Sequence, residues 1–306
     1  MLPPSGDQFA IEVGGYRAVV TESGAALRML EHASRRLLDG FPAEEMASGG
    51  RGQLLMPWPN RIRDGVYTFG GAEHRLALTE PSRHNASHGL ARWAAWTLEE
   101  HTSNSVSLGY RLMAQSGYPW TVDLHVLYDL SPDGLTVTQT ATNMSTSPAP
   151  YAQGAHPYLL AGTGPVDGWE LTLPAATRLR VDDRLLPVDR ESVDGMSYDF
   201  RVARPVAETV LNDAFTDLER NLDGIASVIL RDPITGHGTE LWVDEHHRWL
   251  QLYTGDDTPT PRQSLAVEPM TAPADAFRSG DDLTTLAPRG EPGHELSASW
   301  GIRALG

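Results

Sequence analysis

Period-two alternation of apolar residues constrains this chain more than any other feature. Val106, Leu108, Tyr110 and Leu112 fall on one face of an extended segment, and Val122, Leu124, Val126 and Tyr128 fall on one face of another. Such segments bury one side only, as strands of an antiparallel sheet do. Ser131-Pro132-Asp133-Gly134 follows the second, with a fixed proline φ and a glycine free to take positive φ, and the Thr- and Val-rich stretch Leu135 to Thr142 completes a predicted hairpin. Further strands are predicted at Trp169 to Leu173, Ser227 to Leu230, Leu241 to Val243 and Trp249 to Thr254. The 22 prolines and 29 glycines interrupt every longer helical candidate, leaving only short turns such as Pro273 to Phe277. No repeat, low-complexity tract or linker divides the sequence, so residues 1–306 are expected to form a single all-β domain, a large antiparallel β-sandwich.

Composition narrows the chemistry. The sequence contains neither cysteine nor lysine, which removes thiolate nucleophiles, disulfides, thiolate metal sites, Schiff bases and the lysine of a phosphate-binding loop. His, Asp, Glu, Arg, Tyr and Ser remain. A net charge of −16 disfavours nucleic acid and anionic membrane surfaces, both of which call for a basic footprint. A small molecule, preferably neutral, is the expected partner. Met1 to Ala10 lacks a basic region followed by an apolar stretch, and no long apolar run occurs, so a cytoplasmic location is expected.

Two stretches place one ionisable group in otherwise uncharged surroundings: Gln153 to Tyr158 around His156, and Leu265 to Met270 around Glu268. An imidazole (pKa ~6.5) and a carboxyl (pKa ~4.3) can act as acid and base near neutrality. His156 alone reads as a buried histidine bonded to a carbonyl, whereas Glu268 among apolar residues must be paired or functional. Two further segments, Met56 to Gly65 and Asn85 to Trp93, read as loops combining Trp, Arg and Asn. That mixture suits sugars, whose C–H faces stack on aromatic rings while their hydroxyls need donors and acceptors; equally, the tryptophans could be core and the arginines surface.

Asn60-Arg61-Ile62, His88-Gly89, His156-Pro157-Tyr158, Asn212-Asp213, Gln251 to Gly255 and Val267-Glu268-Pro269 occur in one order along the chain. In that order they resemble the aldose 1-epimerase family, over about Leu54 to Pro288. The resemblance implies a β-sandwich of the galactose mutarotase type and cofactor-free interconversion of α and β anomers of a free hexose. It further implies that Glu268 is the general base and His156 the general acid. Arg61, His88 and Asp213 would hold substrate hydroxyls, with Asn60 and Tyr253 as additional substrate contacts; Arg92, otherwise a surface arginine, has the planar fork to bind a C6 phosphate or sulfonate on the substrate. The longer segments Pro57 to Gly65 and His88 to Trp93 are similar to a bacterial branch that includes mutarotases of hexose 6-phosphates and of sulfoquinovose, so an anionic sugar is a second expectation.

The mechanism also follows from the residues. Opening a hemiacetal removes a proton from the C1 hydroxyl and delivers one to the ring oxygen; rotation about C1–C2 and reclosure reverse both transfers. A Glu and a His suffice, without metal or cofactor. Two other functions compete: a non-catalytic sugar-binding module, which need not keep both groups, and a glycoside-cleaving enzyme, which usually uses two carboxylates. Asp213 could instead cap a helical turn at Ala214-Phe215. His84 and His88 have the spacing of a helical metal pair but lie in a predicted loop with no third ligand. His246-His247, Asp256-Asp257 and Asp281-Asp282 are expected on the solvated surface.

Overall fold

The computed structural model describes residues 2–306 and is built almost wholly of antiparallel strands. The first large sheet has nine strands, in the order Thr97–His101, Ser105–Leu112, Val122–Ser131, Gly134–Asn143, Glu295–Leu305, Gly238–Val243, Ala226–Arg231, Glu170–Thr172 and Arg204–Pro205. Its hairpin at Ser131↔Gly134 turns through Pro132-Asp133 as the sequence predicts. The second sheet runs Pro187–Ser192, Ala175–Val181, Asn212–Leu218, Trp249–Tyr253, Leu265–Met270, Gly154–Ala155 and Leu54–Leu55, with Tyr158–Leu159 also pairing to Leu265–Met270.

Alternation decides what each face does. Val122, Leu124, Val126 and Tyr128 from the first sheet and Phe215, Leu250, Leu252, Leu265 and Val267 from the second meet in one buried cluster, the interior of a β-sandwich. The intervening residues of the second sheet, Asn212, Ala214, Gln251, Tyr253, Ala266 and Glu268, therefore face away from that core. A buried amide ties the two layers together: Gln139 of the first sheet donates to the Gly154 carbonyl at 3.2 Å and accepts from the Trp300 indole at 2.9 Å, two residues from His156. Edges carry charge, with Thr97–His101 fully exposed and Pro187–Ser192 mostly so, which blunts edge-to-edge pairing. Among the described residues no helix is long and apolar enough to cross a membrane.

Several expectations need correction. Part of the supposed loops pairs as a short ribbon, Arg61–Arg63 against Asn85–Ser87. Ala214-Phe215 lies inside a strand and not in a helical turn, so Asp213 caps nothing. His247 is fully buried and not solvated, because its Nδ1 contacts Asp244 at 2.9 Å and closes the turn between strands; His246 is exposed.

Candidate active site

Antiparallel register sets Glu268 and His156 face to face. Gly154 pairs with Met270 and Tyr158 with Ala266, so the residue midway, His156, falls opposite Glu268. Gln251 pairs with Glu268 from the other side. Three neighbouring segments thus place Gln251, Glu268 and His156 in a row across the outer face of the sheet. Pro157 has no N–H to give, but its carbonyl accepts from Val267 at 3.1 Å and keeps the segment seated.

These side chains line a pocket of about 320 Å³, the small end of the range for small-molecule sites and suited to one monosaccharide. Seven of the eight residues singled out from the sequence border it: Asn60, Arg61, His88, Arg92, His156, Tyr253 and Glu268. Asp213 does not. It sits on the core side of its strand and pairs with Arg178 at 2.8 Å, and its neighbour Asn212 takes the pocket position. A shift of one residue along a strand exchanges the faces, and Phe215, which must point into the core, places Asp213 with it.

Glu268 Oε1 lies 3.3 Å from His156 Nε2, with both side chains almost fully buried. Neither Glu268 Oε2 nor His156 Nδ1 has a protein partner. Burial raises the Glu268 pKa to about 8, partly offset by the Arg61 charge. Burial also lowers the His156 pKa to about 3, helped by Arg51, Arg92 and Arg61 and opposed by a backbone hydrogen bond. Both shifts have one meaning: burial favours a carboxylic acid beside a neutral imidazole over an ion pair, since desolvation penalises each charged form.

The walls are fixed by hydrogen bonds. Arg61 is gripped by Glu80 through Nε (2.8 Å) and Nη2 (3.0 Å), a bidentate pair, while its Nη1 donates to Asn60 Oδ1 at 3.2 Å. Burial alone would raise the Glu80 pKa, but the bonds from Arg61, Asn85 and Arg83 outweigh it and hold Glu80 ionised. Asn60 Nδ2 donates to Gln251 Oε1 at 3.2 Å, and Gln251 Nε2 donates to Asn212 Oδ1 at 3.1 Å. This amide chain leaves the Asn212 amide hydrogens free to face a ligand. The Asn60 backbone N–H donates to His88 Nδ1 at 3.2 Å, so the neutral His88 ring carries its proton on Nε2. Burial, reinforced by the Arg61 and Arg92 charges and by His156 whenever that ring is protonated, keeps His88 far below the usual imidazole pKa.

Gln251, Asn212, Glu80 and Tyr158 were not selected from the sequence as site residues. Strand parity could have found Gln251 and Asn212, which share a face with Glu268. Glu80 carried no local signal; it is recruited from the turn preceding Asn85–Ser87. Asp257, expected on the surface, is exposed but stands at the pocket mouth, where it accepts from the Tyr253 hydroxyl.

Two glycines are required by close approach. Gly89, at φ +73°, would place a Cβ 2.1 Å from the Met56 carbonyl, and Gly50, at φ +79°, would place one 2.8 Å from His156 Cδ2. Gly50→Ala is therefore expected to displace the imidazole and lower kcat/KM on the order of tenfold, at ~1–2 kcal/mol of stability. Kinetics and thermal melting on the purified variant check this; unchanged kcat/KM would mean that the ring tolerates movement.

Among the described residues no group of three or more His, Asp or Glu side chains is placed to hold a metal ion. His84 and His88 diverge: His84 is exposed and lies 3.7 Å from Asp64, whereas His88 turns into the pocket.

Comparison with known proteins gives these features a setting. The family model described as aldose 1-epimerase matches residues 7–299. The uncharacterized protein YihR of Escherichia coli K12 is 34% identical over 283 residues, covering 92% of this chain and 89% of that protein. The aldose 1-epimerase of the same organism is 27% identical over 265 residues, covering 83% and 69% respectively. The crystal structure of a GalM/aldose epimerase homologue from C. elegans superposes with a TM-score of 0.85 at 19% identity, covering 97% of this chain and 98% of that one, a likeness of fold.

Proposed function

Because this chain belongs to the aldose 1-epimerase family, we propose that it is a mutarotase that interconverts the α and β anomers of a free hexose by acid–base ring opening and reclosure. One observation carries the reading: Glu268 and His156 meet at 3.3 Å on the pocket floor with no other side-chain hydrogen bond. The hydroxyl oxygen and the ring oxygen of a hemiacetal share one carbon, so the groups that deprotonate one and protonate the other must be close neighbours.

The pair needs one proton between them rather than a fixed owner. At rest that proton lies on Glu268. For Glu268 to act as base it passes to His156, a transfer favoured when substrate hydroxyls donate to the carboxylate and Arg61 faces it. Glu268 then takes the C1 hydroxyl proton while His156 gives its own to the ring oxygen. After rotation about C1–C2 the roles reverse and the ring closes on the other face. Arg61, His88 Nε2–H, Asn60, Asn212 and Gln251 offer the donors and acceptors that would hold the remaining hydroxyls, and Tyr253 forms a wall. The test is polarimetry on freshly dissolved single anomers, across glucose, galactose and other hexoses. Catalysed relaxation of at least one is expected, and none faster than buffer would sink the proposal.

A second reading, an anionic sugar, rests on Arg92. Its guanidinium borders the pocket and, among the described residues, makes no hydrogen bond or ion pair; it only approaches the Trp93 ring at 5.6 Å. Burial lowers its pKa with no carboxylate to offset the effect. An unmatched arginine suits a phosphate or sulfonate on the substrate, and its local charge would have to overcome the opposing field of a chain of net charge −16. Arg92→Ala is then expected to lower kcat/KM about tenfold for glucose 6-phosphate or sulfoquinovose relative to glucose. Equal ratios in both proteins, with neutral sugars turned over best, would remove this role.

A further inference from the structure

His156 is backed by a stack of two groups, Tyr158, which borders the pocket, and Arg51, which does not. The Tyr158 ring lies nearly parallel to the imidazole, with centroids 5.0 Å apart and planes 18° apart. The Arg51 guanidinium lies over the Tyr158 ring at 4.6 Å. Arg51 is itself held rigidly: its Nε and Nη2 donate to Asp39 Oδ2 at 3.3 and 3.0 Å, and its side chain is only 12% exposed. Asp39 also accepts from the Ser264 hydroxyl at 3.0 Å, one residue before the strand that carries Glu268. The Tyr158 hydroxyl donates to the Gly49 carbonyl at 2.8 Å, which fixes the ring. Arg51 does not line the pocket, so any influence on the chemistry passes through Tyr158 and its own field.

We propose that Arg51 is a positioning residue for His156: stacked behind Tyr158, it fixes the imidazole plane, and its immobile positive charge biases the shared proton toward Glu268. The inference rests on the acid–base role assigned to His156 above. The cation–π contact and the Gly49 bond hold the Tyr158 ring in place, so rotation of the imidazole would break its parallel stack on a fixed surface. The charge acts in the same direction as burial, since a nearby cation disfavours imidazolium. Other groups also face His156: Glu268 in contact, the His88 ring edge with centroids 5.5 Å apart, and Arg61 and Arg92 across the pocket. Asp39 stands behind Arg51 and partly neutralises it. The Arg51 contribution is separable because, of the three arginines whose charge reaches His156, only Arg51 stands outside the pocket.

The test is a 15N NMR titration of the imidazole rings from acidic to alkaline pH, with His156 assigned by its loss in His156→Asn. Wild type is compared with Arg51→Met, with Arg51→Gln, which retains a hydrogen bond to Asp39 should the Met variant fold poorly, and with Arg51→Lys. In whichever neutral variant folds, the His156 midpoint is expected to move up by about half to one pH unit, while Arg51→Lys stays near wild type. The acidic limb of kcat/KM should move with it, leaving KM nearly unchanged. Superimposable titrations of the neutral variants and wild type would overturn the proposal, as would an Arg51→Lys shift equal to theirs. The titration needs no turnover, so it can fail while the mutarotase reading stands, or succeed where that reading fails.

Discussion

Glu268→Gln is expected to lower kcat on the order of a hundredfold or more, with a smaller change in KM, and to make the protein more stable at alkaline pH. The activity loss follows from removing the group that exchanges protons with the substrate. The stability gain follows from burial. In the native site the Glu268 pKa is raised to about 8, above the ~4.3 of an unfolded chain, so the unfolded state releases this proton first. Stability from this group is fully present below the unfolded pKa and declines by roughly 1.4 kcal/mol per pH unit until the native carboxyl ionises. The amide introduced by Glu268→Gln never titrates, and it can donate to His156. The difference in Tm between variant and wild type should widen from pH 5 to pH 8. Parallel Tm profiles would mean that Glu268 is not buried as an acid, and near-normal turnover would remove it from the chemistry.

The second large effect concerns the whole pair. Complementary charge states of a free Glu and a free His would put the acidic limb of the rate profile on Glu268 and the basic limb on His156. The structure reverses this order, because burial raises one pKa to about 8 and lowers the other to about 3. The competent form carries one proton, and these midpoints belong to the pair. kcat/KM is therefore expected to hold a plateau through mildly acidic and neutral pH, fall near pH 8 as the single proton is lost, and fall again only in strong acid as a second is gained. His156→Asn should reduce kcat on the order of a hundredfold and abolish the acidic limb. His156 has its own stability signature: a depressed pKa means stability is lost as pH falls from ~6.5 toward 3, since the unfolded chain binds the proton first. An acidic limb near the ~6.5 of a free imidazole would show that the ring is solvated, and an active His156→Asn variant would exclude it as the acid.

Much of this was legible in the sequence, for a physical reason. Strands that bury one face write that face into the chain, which is why Val122 to Tyr128 and its hairpin partner could be placed in advance, and why a lone Glu268 or His156 among apolar neighbours stood out. Asp213 shows the limit. The segment Asn212-Asp213 offered two polar residues, and only the parity fixed by Phe215 decides which one leaves the core. Glu80 and Arg51 were invisible for a different reason: each acts through a partner brought near by the fold, Arg61 in one case and Tyr158 in the other. His247 misled because charged neighbours suggest solvent, whereas a turn can bury one member to satisfy Asp244. The protonation order of the pair was equally hidden, since it depends on burial rather than on residue type.

Acid–base mutarotation by Glu268 and His156 is tested most directly by exchange NMR of a hexose at anomeric equilibrium, run with wild type and with Glu268→Gln. Cross-peaks between α and β anomeric protons, with protein added, report interconversion itself, and the variant controls for mere binding. Exchange far above the protein-free rate is expected with wild type, and exchange near that rate with Glu268→Gln. Shifts of the sugar signals without exchange would mark a sugar-binding protein and contradict the mechanism, as would exchange that the variant leaves undiminished.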